Sequence, residues 1–154
     1  MEPNRVVARY TNGKVVKGFM LNFFPNKDRF HVISVGKPSE KPVEVILNHL
    51  KAIFVVRNFE GDPDYIERQR YIEGETPEGI PLEVTFEDGE VLVGSSTGFN
   101  PERAGFFISP ADPMSNNIRV FIVTSAVKRI RYLLLGEGQS VEVPMPRRRY
   151  SSKC

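Results

Sequence analysis

The chain contains no tryptophan, one cysteine and two histidines in 154 residues. Its cysteine, Cys154, is the last residue, so no disulfide can form within the chain, and such usage fits a reducing compartment. A metal site takes roughly three or four protein ligands. His31, His49 and Cys154 are too few and too scattered for one, so no metal, cofactor or catalytic histidine is expected. No apolar run approaches the roughly 20 residues of a membrane helix. The opening Met1-Glu2-Pro3-Asn4-Arg5 has no leader pattern, and a cytoplasmic protein is expected. No catalytic motif or glycine-rich phosphate loop is present, and the expectation is that the protein is not an enzyme.

An excess of charge of either sign is also lacking, with 21 Lys and Arg against 19 Asp and Glu and a net of +2. The segment from Pro144 to Cys154 holds Arg147, Arg148, Arg149 and Lys153 and no acid, so the rest of the chain is slightly acidic overall. Nucleic-acid-binding domains more often carry basic charge on the body itself. Apolar residues make up 40%, a globular rather than a disordered composition.

What the chain does have is an internal echo. Val6 to Gly18 reads as a short apolar strand, a turn, a second strand and a glycine five places after the turn glycine, and Leu82 to Gly94 reads the same way. Pro25 answers Pro101, and Phe30-His31-Val32 answers Phe106-Phe107-Ile108. After a one-residue slip, Val43-Glu44-Val45-Ile46 answers Val120-Phe121-Ile122-Val123, and Leu50-Lys51-Ala52-Ile53 answers Val127-Lys128-Arg129-Ile130. An internal repeat governs the fold reading before other signals do.

Asn12-Gly13 and Asp88-Gly89 are hairpin signals of the type I′ kind, which needs positive φ at both residues. Alternation predicts strands near 5–11, 14–22, 29–35, 43–47 and 52–57. In the second unit it predicts them near 81–87, 90–97, 105–109, 119–124 and 127–134. Gly18 and Gly94, inside strands, mark bends of the kind a small barrel needs. The fold expected is all-β, two tandem five-stranded small barrels: the first over residues 1–61, the second over 81–135. The stretch 62–80 reads as a connector opening with a short helix, capped by Asp62 with Pro63 at its first position. Residues 136–154 read as a flexible basic tail. Each unit of about 50–55 residues is near the lower limit for an independent core, so the two are expected to pack on each other or on a partner.

The segments Asn12 to Gly18 and Asp88 to Gly94 resemble the first signature of Sm-like small β-barrels, which are close in type to Src-homology-3 barrels. The chain over about residues 5–134 also resembles an uncharacterised bacterial family of tandem small barrels, through Leu50 to Gly61 and Gly105 to Asn117. That second resemblance implies no activity. The Sm-like one implies RNA binding by an Asp or Asn after the second strand, where Asn26 and Asn100 fall, and by an Arg/Lys-Gly pair in the last turn. His49-Leu50-Lys51 and Ala126-Val127-Lys128 lack that glycine.

Candidate binding residues follow from residue chemistry. Arg103 and Arg119 flank the loop holding Asn116 and Asn117, where arginine forks and amides could receive a phosphate or carboxylate. The same asparagines also suit a plain hairpin loop. Phe23 and Phe24 stand beside Lys27 and Arg29 and could stack bases, or plug a barrel end. Arg147, Arg148 and Arg149 could hold an acidic partner or nucleic acid, or serve solubility. The carboxylates of the connector (Asp62, Asp64, Glu67, Glu73, Glu75, Glu78) read as a solvated face.

The leading expectation is a non-enzymatic binding or adaptor module with a protein partner. The alternatives are RNA or single-stranded nucleic-acid binding, and sensing of a cyclic dinucleotide or another small anion. Homo-oligomerisation stays open.

Overall fold

A computed structural model describes residues 4–36 and 41–146. The residues form one antiparallel sheet of eleven strands. The first half contributes β1 (Arg5–Tyr10), β2 (Val15–Leu21), β3 (Arg29–Ser34), β4 (Val43–Ile46) and β5 (Leu50–Val56). The second contributes β6 (Ile80–Phe86), β7 (Val91–Ser96), β8 (Gly105–Pro110), β9 (Asn117–Val123), β10 (Val127–Leu134) and β11 (Gln139–Glu142). Across the sheet the order is β11-β10-β6-β7-β8-β9-β5-β1-β2-β3-β4.

All ten expected strands are present within two residues of their expected ends. The closed barrels are not. The free edge of β5, which would have to meet β4 to close the first unit, instead pairs with β9 of the second half. The two halves therefore run into each other as one open sheet. Its two apolar clusters cross the seam as well. Val7, Ala52, Phe54 and Val56 join the second half's core, and Phe121 and Val123 join the first half's.

The halves share local detail. Each places the same strand order around its first hairpin, β5-β1-β2-β3-β4 and β10-β6-β7-β8-β9. Tyr10 N–H donates to Lys14 O and Gly13 N–H to Tyr10 O; Phe86 N–H donates to Glu90 O and Gly89 N–H to Phe86 O. The turns are not type I′. Positive φ falls only on Gly13 (94°) and Gly89 (95°), while the side-chain oxygens of Asn12 and Asp88 accept the N–H of Lys14 and Glu90. This is the longer hairpin built on a type I turn with a left-handed glycine. Gly18 and Gly94 are required by close approach: a Cβ would sit 2.0 Å from Ile33 O and 2.3 Å from Ser109 O.

The expected helix after Asp62 is absent. The cap itself forms, with Asp64 N–H on the Asp62 carboxylate and Tyr65 N–H closing one turn on Asp62 O, but the chain does not go on as a helix: Arg68 N–H is taken by Asp112. A long-range side-chain acceptor thus outcompetes the helical ladder. The segment runs as an irregular strap pinned to the sheet. The tail also departs from expectation. Residues 139–142 form β11 along β10, and Val143 behind it is buried. Arg147, Arg148 and Arg149 lie outside the described residues. No helix among the described residues is long and apolar enough to cross a membrane, which says nothing of a β-barrel.

Candidate binding site at the seam

The loop after β2 and its counterpart before β8 meet at the seam between the halves. Asn22 takes a left-handed φ of 45°, and its side chain accepts the N–H of His31, which turns the chain out of β2. Lys27 N–H then closes a turn on Phe24 O, as Arg103 N–H does on Asn100 O. Each loop is tied to the short 3-10 turn of its own half: Leu47 N–H to Asp28 O, and Thr124 N–H to Ala104 O, both at 2.8 Å. The Thr124 hydroxyl donates to Arg103 O at 2.8 Å.

Between these loops lies a cleft of 530 Å³, with Pro25 to Asp28, Leu47 and Asn48 on one wall and Arg103, Ala104, Val123 and Ser125 on the other. Asp28 is the acid in it. The Arg29 guanidinium, hydrogen-bonded to Asp28 and adding its charge, holds that carboxyl below its ordinary range. The same guanidinium reaches Glu44 at 3.3 Å. With Asp28 engaged, Lys27 and Arg103 remain as the cleft's cations, one from each half.

Pro25 also borders a second hollow of 300 Å³ that includes Phe23, Phe107 and Arg119. The Arg119 guanidinium stands 4.5 Å from the Phe107 ring centroid, a cation–π distance. Phe23 packs edge-on against Phe30, Phe107 and Phe121, with centroids 5.3, 6.1 and 5.1 Å away. Phe99, its counterpart, packs on Phe106 at 4.9 Å. Phe23 is thus a plug of the core at the seam, while its neighbour Phe24 is 56% exposed.

Of the sequence-predicted residues, the structure gathers Phe23, Arg119 and Arg103 around Pro25, with Phe24 beside them. It does not bring Asn116 there. The Asn116 amide clamps the backbone of Asn58, donating to Asn58 O at 3.0 Å and accepting Asn58 N–H at 3.3 Å. Asn117 is a strand residue opposite Val56, with its N–H on the Ser115 hydroxyl.

Sequence reasoning missed Asp112. Its carboxylate is 4% exposed and accepts from Arg68 N–H (2.9 Å), Met114 N–H (2.8 Å) and the Tyr65 hydroxyl (2.5 Å). The Arg68 N–H first, then the Tyr65 hydroxyl, hold this carboxyl below its ordinary range, while the bond to Asp112 raises the Tyr65 phenol. Nearby, the Ser115 hydroxyl donates to Glu67, and Arg68 makes a two-pronged contact with Glu75 at 2.9 and 3.1 Å. Two of the connector carboxylates read as solvated are therefore fasteners of the strap. The Asx-Pro turn of Asp112-Pro113 was the available signal.

A larger and shallower groove of 1190 Å³ runs between residues 69–79 and 133–140. Glu73, Glu75, Glu83 and Glu137 line it with Arg70, and Glu75 is already paired with Arg68.

The seam cleft thus presents two cations, Lys27 and Arg103, and two amides, Asn26 and Asn48, while exposed Phe24 stands in the same loop outside the cleft's lining. A model of a family of unknown function (DUF6982) matches residues 2–134 of the chain. No curated protein and no solved structure matches it significantly.

Proposed function

The chain belongs to that family, and we propose that it is a non-enzymatic binding module that engages an extended, acidic segment of a protein partner at the seam cleft. The observation that carries this reading is the convergence of Lys27 and Arg103 from opposite halves on one 530 Å³ cleft whose acid, Asp28, is engaged by Arg29. Concave sites with a few convergent polar groups are the usual places of binding. Two Sm-like units fused through strand pairing, each left open, would place such a cleft where neighbouring loops meet. The repeated strand order and the paired turn hydrogen bonds support that description.

A second reading, single-stranded nucleic acid at the same place, is favoured by Phe24. Phe24 is 56% exposed in the turn that Lys27 N–H closes on its carbonyl, and an exposed aromatic in a loop carrying a cation can stack a base.

Titration calorimetry with an acidic peptide and with a single-stranded oligonucleotide, against the native chain and against Lys27→Glu with Arg103→Glu, tests the two. Peptide binding lost in the double variant supports the proposal. Oligonucleotide binding that falls steeply with salt and with Phe24→Ala makes the second reading the correct one. Equal binding by native and variant chains contradicts both.

A further inference from the structure

An open sheet can grow at its edges by pairing with another chain. Here the pairing that joins the two halves is itself repeatable. β9 lies along β5 with Ile122 opposite Ala52, Phe121 opposite Ile53 and Val120 opposite Phe54. β4 stands to β3 as β9 stands to β8: Val45 faces Phe30 as Ile122 faces Phe106, and Glu44 faces His31 as Phe121 faces Phe107. β10 stands to β6 as β5 stands to β1, and in each pairing one lysine is looped out of register, Lys128 and Lys51. A second copy could therefore lay its β4 along β10 as β9 lies along β5. That contact is head-to-tail, and such contacts generate rings or open chains.

Three features oppose it. The first is Glu44. Phe121 is buried in the seam, packed edge-on against Phe23 and Phe107. In the copied register Glu44 takes its place opposite Ile130, which is fully buried, and would carry a carboxylate into an apolar layer. Glu44 is paired with Arg29 at half-exposed surface, and burial there would strip water from that pair or separate it, which is strongly unfavourable. The second is Lys14. The Lys51 ammonium crosses the seam to Asp88, at 2.8 Å, and to Glu90. Its counterpart Lys128 would meet Asn12 and Lys14, so an attraction becomes a repulsion. The third is β11, which already occupies the edge of β10, with Arg131 opposite Glu142, Tyr132 opposite Val141 and Leu133 opposite Ser140. All four β11 residues are exposed. The strand is held by its ladder and by Val143, whose N–H donates to Ile130 O at 2.8 Å.

We infer that Glu44, Lys14 and β11 confine the β5–β9 pairing within one chain, and that the partner they exclude is a second copy of this chain. Short edges, charges placed to point inward and covering strands are the means by which sheets avoid growth. The inference is independent of what the seam cleft binds.

The test is the mass in solution by light scattering, with folding checked by circular dichroism. The native chain is expected at the mass of one chain. A chain ending at Gly136 that also carries Glu44→Phe and Lys14→Glu is expected to reach at least twice that mass and to grow with concentration. In that background Val45→Cys and Arg129→Cys, opposite each other in the copied register, should cross-link between chains; Cys154 is gone, so no other thiol competes. Should the shortened chain not fold, a full-length chain with Ser140→Pro and Glu142→Pro, which keeps Val143, takes its place. A folded variant that stays a single chain overturns the inference. So does a full-length chain with Cys154→Ser, and otherwise native but for Val45→Cys and Arg129→Cys, that already cross-links between copies; the full-length proline variant carries Cys154→Ser as well.

Discussion

The Lys51 ammonium of the first half and the Asp88 carboxylate of the second lie 2.8 Å apart across the seam. Lys51 also pairs with Glu90 and stands 4.8 Å from the Phe86 ring centroid. One side chain, 11% exposed, thus fastens the hairpin turn of one half to the looped-out strand residue of the other. Burial alone would lower its pKa, but the hydrogen bonds and charges of Asp88 and Glu90 outweigh that and raise it. Asp88 is correspondingly lowered, chiefly by its bond from Lys51.

Lys51→Met should therefore destabilise the fold by about 1 kcal/mol at neutral pH, a modest figure because both carboxylates are about half exposed to solvent. The lowered Asp88 contributes stability above the ordinary aspartate range, near ~3.9, lost as pH falls through its folded value. The raised Lys51 contributes stability below the ordinary lysine range, near ~10.4, lost as pH rises through its folded value. Urea melts at acidic, neutral and alkaline pH should show the native and variant curves converging at both extremes and apart between them.

Gly18→Ala and Gly94→Ala should each cost about 3 kcal/mol or prevent folding, because the added carbon meets a neighbouring strand's carbonyl oxygen rather than a flexible side chain. Gly13→Ala is a gentler case: open space surrounds it, and only its left-handed φ is strained. Thermal melts that rank the interior pair below the turn variant would bear this out. The reverse order would refute the close-approach account.

Phe23 and Phe24 should separate stability from binding. Phe23→Ala removes a ring packed on three others across the seam and should cost on the order of 3 kcal/mol. Phe24→Ala should leave stability within about 0.5 kcal/mol and leave affinity for an acidic peptide at the cleft unchanged, a fall in oligonucleotide affinity being the mark of the second reading. Denaturant melts measure the first difference and calorimetry the second.

Asp112→Ala should release the strap. The Tyr65 hydroxyl and the N–H groups of Arg68 and Met114 lose their acceptor together. Limited proteolysis between residues 58 and 79 should speed up by about tenfold, the factor that ~1.4 kcal/mol of easier local opening gives. Cleavage at the native rate would mean that Glu67 and Glu75 hold the strap without Asp112.

Much of the fold was legible in the sequence because period-two alternation and Asn-Gly or Asp-Gly turns are local signals. They placed the strands around residues 6–18 and 82–94 and their counterparts. Closure was not legible, since whether β5 meets β4 or β9 is a long-range choice with no local mark. The expected helix failed for a related reason. Asp62 and Pro63 promised a helix start, while the acceptor that disrupts it, Asp112, lies far along the chain. β11 was invisible because its four residues are all exposed and carry no alternation. At the seam, Arg103 and Arg119, read with the Asn116 loop, and Phe23, read separately with Phe24, come to lie around Pro25, a meeting of distant segments that no local pattern marks. Asn116 was not separable from them, because an amide that clamps Asn58 reads the same as one that awaits a ligand.

The most direct measurement is photo-cross-linking in cells with a benzophenone residue at Ala104, in the cleft, and at Val141, on β11, as the control. The account predicts a discrete adduct from position 104 alone that protease destroys, nuclease leaves intact, and Arg103→Glu abolishes. An adduct equal from both positions, or one unaffected by Arg103→Glu, would contradict binding at the seam.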